Sequence, residues 1–174
     1  MATSLQFITS VEITSSQSTT SVDNIFSSNY DVYKIVLRGL STVGTTDLNL
    51  NARLIDNSGS VISDTEYAYA VLQMKSNASF TENRSNNFSR IDRICFSDQS
   101  PESQGTVLYV YNPNSSSSYT FLNWQDSHAR GGYGSGFKGV AVHKNAETIR
   151  GINFFDVYTD RPYDSGTIAV YGVK

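Results

Sequence analysis

The stretch LNLNARLI, residues Leu48 to Ile55, decides the fold class. Leu48, Leu50, Ala52 and Leu54 fall on one face, and Asn49, Asn51 and Arg53 fall on the other. A repeat of two is the signature of a β-strand with one face against a core. The same alternation recurs along the chain. It runs through SLQFITSVEIT near the start, YDVYKIVLRGL (30–40), YAYAVLQM (67–74), TVLYVYN (106–112), YTFLNW (119–124), GFKGVAVH (136–143) and GINFFDVY (151–158). In YDVYKIVLRGL, Tyr33, Ile35 and Leu37 share a face, with Lys34 and Arg38 opposite. Only NAETIR (145–150) offers a helical turn.

The segments between are rich in turn formers. DNSGS (56–60) has Asn and Gly where a tight turn wants positive φ. NPNSSSS (112–118) is a proline-set turn, and KSNASFTENRSNNFS (75–89) and SDQSPESQG (97–105) read as long polar loops. ARGGYGSG (129–136) is the most flexible stretch by composition. About ten short strands with such connectors predict an all-β, single-domain antiparallel β-sandwich or barrel over residues 1–174.

Composition agrees. Of 174 residues, 39% are hydrophobic and 17% charged. The charged share is below the usual value of about 25% for soluble domains. Ser, Thr and Asn take its place, and these favour strands and turns over helices. One domain of this length buries roughly 70% of its unfolded surface, enough to fold without a metal or a disulfide. The net charge of −3 argues against a nucleic-acid partner, which needs a basic patch. No apolar run reaches the roughly 18 residues of a membrane helix, so no membrane partner is expected. MATSLQFITS lacks the charged and apolar regions of a secretory signal, and the expectation is a protein made in the cytoplasm. The lone Cys95, in the apolar alternation of IDRICFSD, reads as a small core residue. The sequons at Asn77 and Asn83 are what an Asn- and Ser-rich chain produces by chance.

The last run, GTIAVYGVK, is apolar on both faces: Ile168, Val170 and Gly172 on one, Thr167, Ala169, Tyr171 and Val173 on the other. Double coverage points to overlying loops or a second subunit. Ile168, Val170, Tyr171 and Val173 are therefore the expected subunit-interface strand.

Chemistry-bearing motifs are sparse. There is no HExxH, Cys-x-x-Cys, phosphate loop or G-x-S-x-G elbow. A triad from Ser127 or Ser135 with His128 and an aspartate would be arbitrary in so serine-rich a chain. His128 and His143 are the two histidines. Asp156, Asp160 and Asp164 could ligate Ca²⁺ through oxygen, but their spacing is not that of an EF-hand, and turn formation beside Pro162 accounts for them equally. No catalytic residue, cofactor or metal ligand is assigned. Trp124, Tyr119, Tyr133 and Phe137 flank the glycine-rich loop, and Tyr133 among its glycines is expected to be exposed. With Arg130, the residues Tyr119, Trp124 and Tyr133 are the candidate contacts for a protein partner or a host surface glycan.

Three blocks carry a resemblance: NIFSSNYDVYKIVL (24–37), LNARLIDNSGSV followed by YAYAVLQM, and INFFDV with DSGTIAVYGVK. Their order is similar to a group of small structural proteins of tailed bacteriophages, many from marine and cyanobacterial phages. The resemblance implies a jelly-roll-like sandwich in the virion, released by host lysis. Such a protein decorates the capsid or belongs to a tail fibre or appendage, and is often trimeric. It brings no catalytic residues. The chain has no coiled-coil heptads or shaft, which favours a capsid decoration or cement protein bound to the major capsid protein or other virion proteins. The alternative is a receptor- or glycan-binding module of a tail fibre or head appendage. An enzyme is not expected.

Overall fold

In the computed structural model, residues 4–42, 47–97, 104–158 and 162–174 are described. They form twelve strands and no helix. These are β1 (Leu5–Ile13), β2 (Thr19–Val22), β3 (Val32–Thr42), β4 (Leu48–Asp56), β5 (Tyr67–Lys75), β6 (Thr81–Phe88), β7 (Ile91–Ser97), β8 (Gln104–Tyr111), β9 (Thr120–Arg130), β10 (Tyr133–His143), β11 (Ile149–Asp156) and β12 (Tyr163–Val173). The large sheet has the order β1-β12-β3-β8-β9-β10-β5-β6, and the small sheet the order β2-β11-β4-β7.

The pairing is nested: β1 with β12, β2 with β11, β3 with β8 and β4 with β7, all antiparallel. One long folded ribbon, β1–β4 running against β7, β8, β11 and β12, has thus been wrapped into two four-stranded sheets. That is a jelly roll. Two hairpins are inserted into it, β5–β6 between β4 and β7 and β9–β10 between β8 and β11. Both join the same edge and widen one sheet to eight strands.

The inward residues are the ones the alternation selects. Leu48, Leu50, Ala52 and Leu54 of the small sheet are fully buried. They join Tyr33, Ile35, Leu37, Leu108, Val110, Ile168 and Val170 of the large sheet in one core. Cys95 is buried there too, and burial pushes its thiol pKa up. At about 25 cal/mol per Å² of apolar surface removed from water, this core is the main stabilising contribution.

Three polar stretches depart from expectation. Residues 81–88, read as loop, form edge strand β6. Both of its faces meet water, so it has no apolar repeat to reveal it, and its ladder to β5 holds it in place. Residues 129–136 are not a flexible loop. β9 and β10 run into a two-residue turn, Gly131–Gly132, with φ of +56° and +80°. Both central residues of such a turn need positive φ, which glycine supplies. The short β2 was not anticipated either. Four residues, TTSV, are too few to show a repeat. In DNSGS, the Asp56 carboxylate accepts from Ser58 and Ser60 backbone N–H groups, as turn chemistry predicts. NAETIR forms no helical turn.

The blocks that carry the resemblance meet in space. Phe26 packs edge-on against Tyr33, with ring centroids 4.8 Å apart. The Tyr33 hydroxyl donates to Ser27 O and accepts from Ser27 N, pinning the segment before β3. The Tyr30 ring lies directly on Gly172 of the closing block, where a Cβ would sit 2.6 Å from it. These residues are a packing unit of the fold.

Candidate binding surface

The large sheet turns one face inward and leaves the other uncovered. On the half built from β9, β10 and β5, that outer face carries Phe121, Val140 and Leu72, which are 45%, 57% and 40% exposed. Strand register brings them together: Val140 pairs with Ala70, and Phe121 with Val142. The small side chains of Ala68 and Ala70 leave a shallow hollow of about 310 Å³ beside Phe121 and Val140. Polar groups rim this strip. Lys138 lies opposite Leu72 on one side, and Glu82 on the other. Glu82 and Arg84 are 3.9 Å apart and largely exposed, a pairing too solvated to add much stability. An apolar centre inside a polar rim is the anatomy of a protein-binding surface.

Of the residues expected to cluster near the glycine-rich turn, Arg130 and Tyr133 pair across it, and Trp124 and Tyr119 lie elsewhere. Trp124 is 2% exposed and faces the core. Its ring fills the space over Gly139, where a Cβ would come within 2.2 Å. Its indole N–H donates to Arg93 O at 3.0 Å, tying β9 to β7 across the sandwich. It is a core residue and is withdrawn from the candidate contacts. Alternation along YTFLNW already puts Trp124 on the face of Leu122, away from Phe121. Phe137 is fully buried as well. Tyr119 is exposed, but it precedes β9 at the end opposite the turn. Eleven residues of strand separate it from Tyr133, roughly 35 Å. Tyr133 is half-buried, so it reaches the surface with only part of its ring. Arg130 is committed to Asp47 and to the face of Phe96, 5.2 Å from its centroid.

Strand β12 lies inside the large sheet between β1 and β3. Ile168 and Val170 face the core with 1% and 0% exposure, so they cannot form a subunit interface. The partner that covers them is the small sheet of the same chain. Tyr171 and Val173, on the outer face, are half-buried and remain accessible. The Tyr171 ring meets Phe7 of β1 edge-on at 5.7 Å.

Of the three aspartates, Asp160 lies outside the described residues. Asp156 is buried and accepts from Asn49 N at 2.9 Å and Tyr158 N at 2.7 Å, so its oxygens serve the backbone. Asp164 is half-buried on β12. The sequon at Asn83 sits within β6, its side-chain amide donating to Asp92.

His128 has an acidic partner, but no hydroxyl completes a triad. Its Nδ1 is 2.6 Å from Asp126 Oδ2, while its buried Nε2 has no partner among the described residues. Ser127 points to the opposite face, and the Ser135 hydroxyl donates to Met74 O. Burial pushes the Asp126 carboxyl pKa up, outweighing the opposing pull of His128 and Thr106. A second cluster, Glu66, His143 and Glu147, has a ligating atom from each residue within 4.8 Å of the others. It left no trace in the sequence, because Glu66 comes from a loop 77 positions before His143.

No protein-family model matches the chain, and no similar sequence was found among curated proteins.

Proposed function

We propose that this chain is a non-enzymatic structural protein of a bacteriophage virion. It is a capsid decoration or cement protein that binds the capsid lattice as an oligomer, trimeric as the resemblance implies. The observation that supports this reading is the apolar strip of Phe121, Val140 and Leu72, set on a rigid eight-stranded sheet and rimmed by charge. Surfaces of this kind gain from being buried against another protein. A lattice protein that engages many symmetric sites holds by avidity, so each contact can be modest.

The glycan-binding reading has less support. Of its residues, Trp124 is in the core, Arg130 is paired, and Tyr119 and Tyr133 stand at opposite ends of one hairpin. They cannot grip one small sugar together.

Sedimentation velocity and co-sedimentation with expanded capsids test the proposal. The expected result is an oligomer that pellets with capsids, with both properties weakened by Val140→Asp. A stable monomer that leaves capsids bare overturns it, as does a labelled antibody that fails to decorate intact particles.

A further inference from the structure

Among the described residues, the cluster at the far end of β10 is the one that brings two carboxylates and an imidazole within ligating reach of one another. His143 ends β10 with its side chain fully buried, and its Nε2 lies 3.0 Å from Glu66 Oε2 and 3.6 Å from Glu147 Oε1. Among the described residues, neither glutamate pairs with a lysine or arginine. Lys144, next to His143 in the chain, turns its Nζ to Asn86 O and Asn87 Oδ1 on β6. Two carboxylates therefore converge on one imidazole with no cation between them.

The three residues are held from behind. The His143 ring packs against Tyr67 at a tilt of 40°, with centroids 5.2 Å apart. The Tyr67 hydroxyl donates to Ile62 O and accepts from Leu54 N, which fixes that ring. Lys144 N–H donates to Glu66 O at 2.8 Å, locking the end of β10 to the segment before β5. Asn145 Nδ2 donates to Glu147 Oε1 at 3.1 Å, orienting the second carboxylate. Thr120, directly opposite His143 in the ladder, has a buried hydroxyl without a partner, and so does His143 Nδ1.

The spacing suits a small tetrahedral ion. With metal–nitrogen and metal–oxygen bonds of about 2.1 Å, neighbouring ligand atoms in a tetrahedron are about 3.4 Å apart. The observed 3.0 and 3.6 Å bracket that edge. The carboxylates are 36% and 30% exposed, so they can close the third edge and leave a fourth position open to water. An imidazole ligand selects zinc-like cations over Ca²⁺ or Mg²⁺, which take all-oxygen shells.

We propose that His143 Nε2, Glu66 and Glu147 bind one Zn²⁺-class divalent cation. It would cross-link the start of β5, the end of β10 and the connection to β11, with water as fourth ligand. The test uses untagged full-length protein stripped with a chelator. Calorimetry is expected to show one Zn²⁺ per chain. At 100 times Kd the melting temperature should rise by roughly 5–10 °C, and equal Ca²⁺ should leave it unmoved. Co²⁺ should give the intense visible bands of a tetrahedral site. The double variant Glu66→Gln, Glu147→Gln changes only partly exposed groups. It should weaken Zn²⁺ binding at least tenfold, abolish the Co²⁺ bands and leave the metal-free melting temperature close to that of the parent. Glu147→Ala alone should weaken binding in the same direction. No Zn²⁺ binding, preference for Ca²⁺, or binding that survives in the double variant would each overturn the proposal.

Discussion

The jelly-roll half of the large sheet (β1, β12, β3 and β8) and its added half (β9, β10, β5 and β6) bury similar side chains and present different chemistry outward. In the roll half the outer rings lean on one another. Tyr109 stacks on Tyr111 at 6.4 Å, Phe7 meets Tyr171, and Lys34 and Arg38 stand among them. In the added half, Val140, Leu72 and Phe121 project over alanines with charge only at the rim. The inner faces are alike in kind. The roll half fixes buried tyrosines by their hydroxyls, as in Tyr33 with Ser27 and Tyr163 with Thr20. The added half does the same with Tyr67, bonded to Ile62 O and Leu54 N, and fills further space with Trp124 and Phe137. The roll half leaves Phe7 54% exposed on its edge strand, whereas the added half gathers Val140, Leu72 and Phe121 into one apolar strip.

The strongest way to break that contrast is Trp124→Ala. Removing the ring from above Gly139 leaves a cavity that the sheet backbone cannot close, and unfolding free energy should fall by about 3–5 kcal/mol. Because Trp124 also bonds Arg93 O on the small sheet, calorimetry should show one transition, merely lowered. Two separated transitions would mean that the added half folds on its own.

Alkali next probes the buried tyrosines of both halves, Tyr163 of the roll and Tyr67 of the added half. Burial pushes Tyr163 up to about 12, against an ordinary value of 10. A raised folded-state pKa means that the native state holds the proton more tightly. Its contribution is therefore complete below pH 10 and is lost as pH climbs towards 12. The loss should amount to about 2–3 kcal/mol. Burial raises Tyr67 as well, so both act in the same direction. Tyrosinate absorbance should lag behind free tyrosine and then rise together with loss of β-sheet circular dichroism. Smooth titration at pH 10 with the fold intact would contradict the burial of these hydroxyls.

Tyr33→Phe keeps the ring against Phe26 and deletes only the bonds to Ser27. Stability should drop by about 1–2 kcal/mol in urea, with the slope unchanged. Val140→Asp has the smallest effect on the monomer, within about 0.5 kcal/mol. Its effect on self-association and capsid binding should be large. If it leaves both untouched, the apolar strip is not the working surface.

Much of this was legible along the chain. Strands with one dry face announce themselves, and LNLNARLI and YAYAVLQM match β4 and β5 to within a residue. β6 was not, since a strand wet on both sides has no contrast to read. Nor was the two-residue turn at Gly131–Gly132, because glycines mark a tight turn and a floppy loop alike. Among the candidate contacts, Trp124 lies in the core: nearness to a glycine-rich segment in sequence is not nearness to the surface, and strand parity puts it on the dry face.

Sequence alone determined the all-β class, because the repeat of two and the turn residues are local properties. It also determined which faces are dry, since hydrophobicity is carried by each side chain. Only the tertiary structure decided which strands pair, and with that the nested jelly-roll order and the eight-stranded sheet. It alone decided that Ile168 and Val170 are covered by the chain's own second sheet, and that Glu66 meets His143 and Glu147. Those outcomes depend on contacts between residues far apart in the chain, whose pairing is fixed by packing and by no local signal.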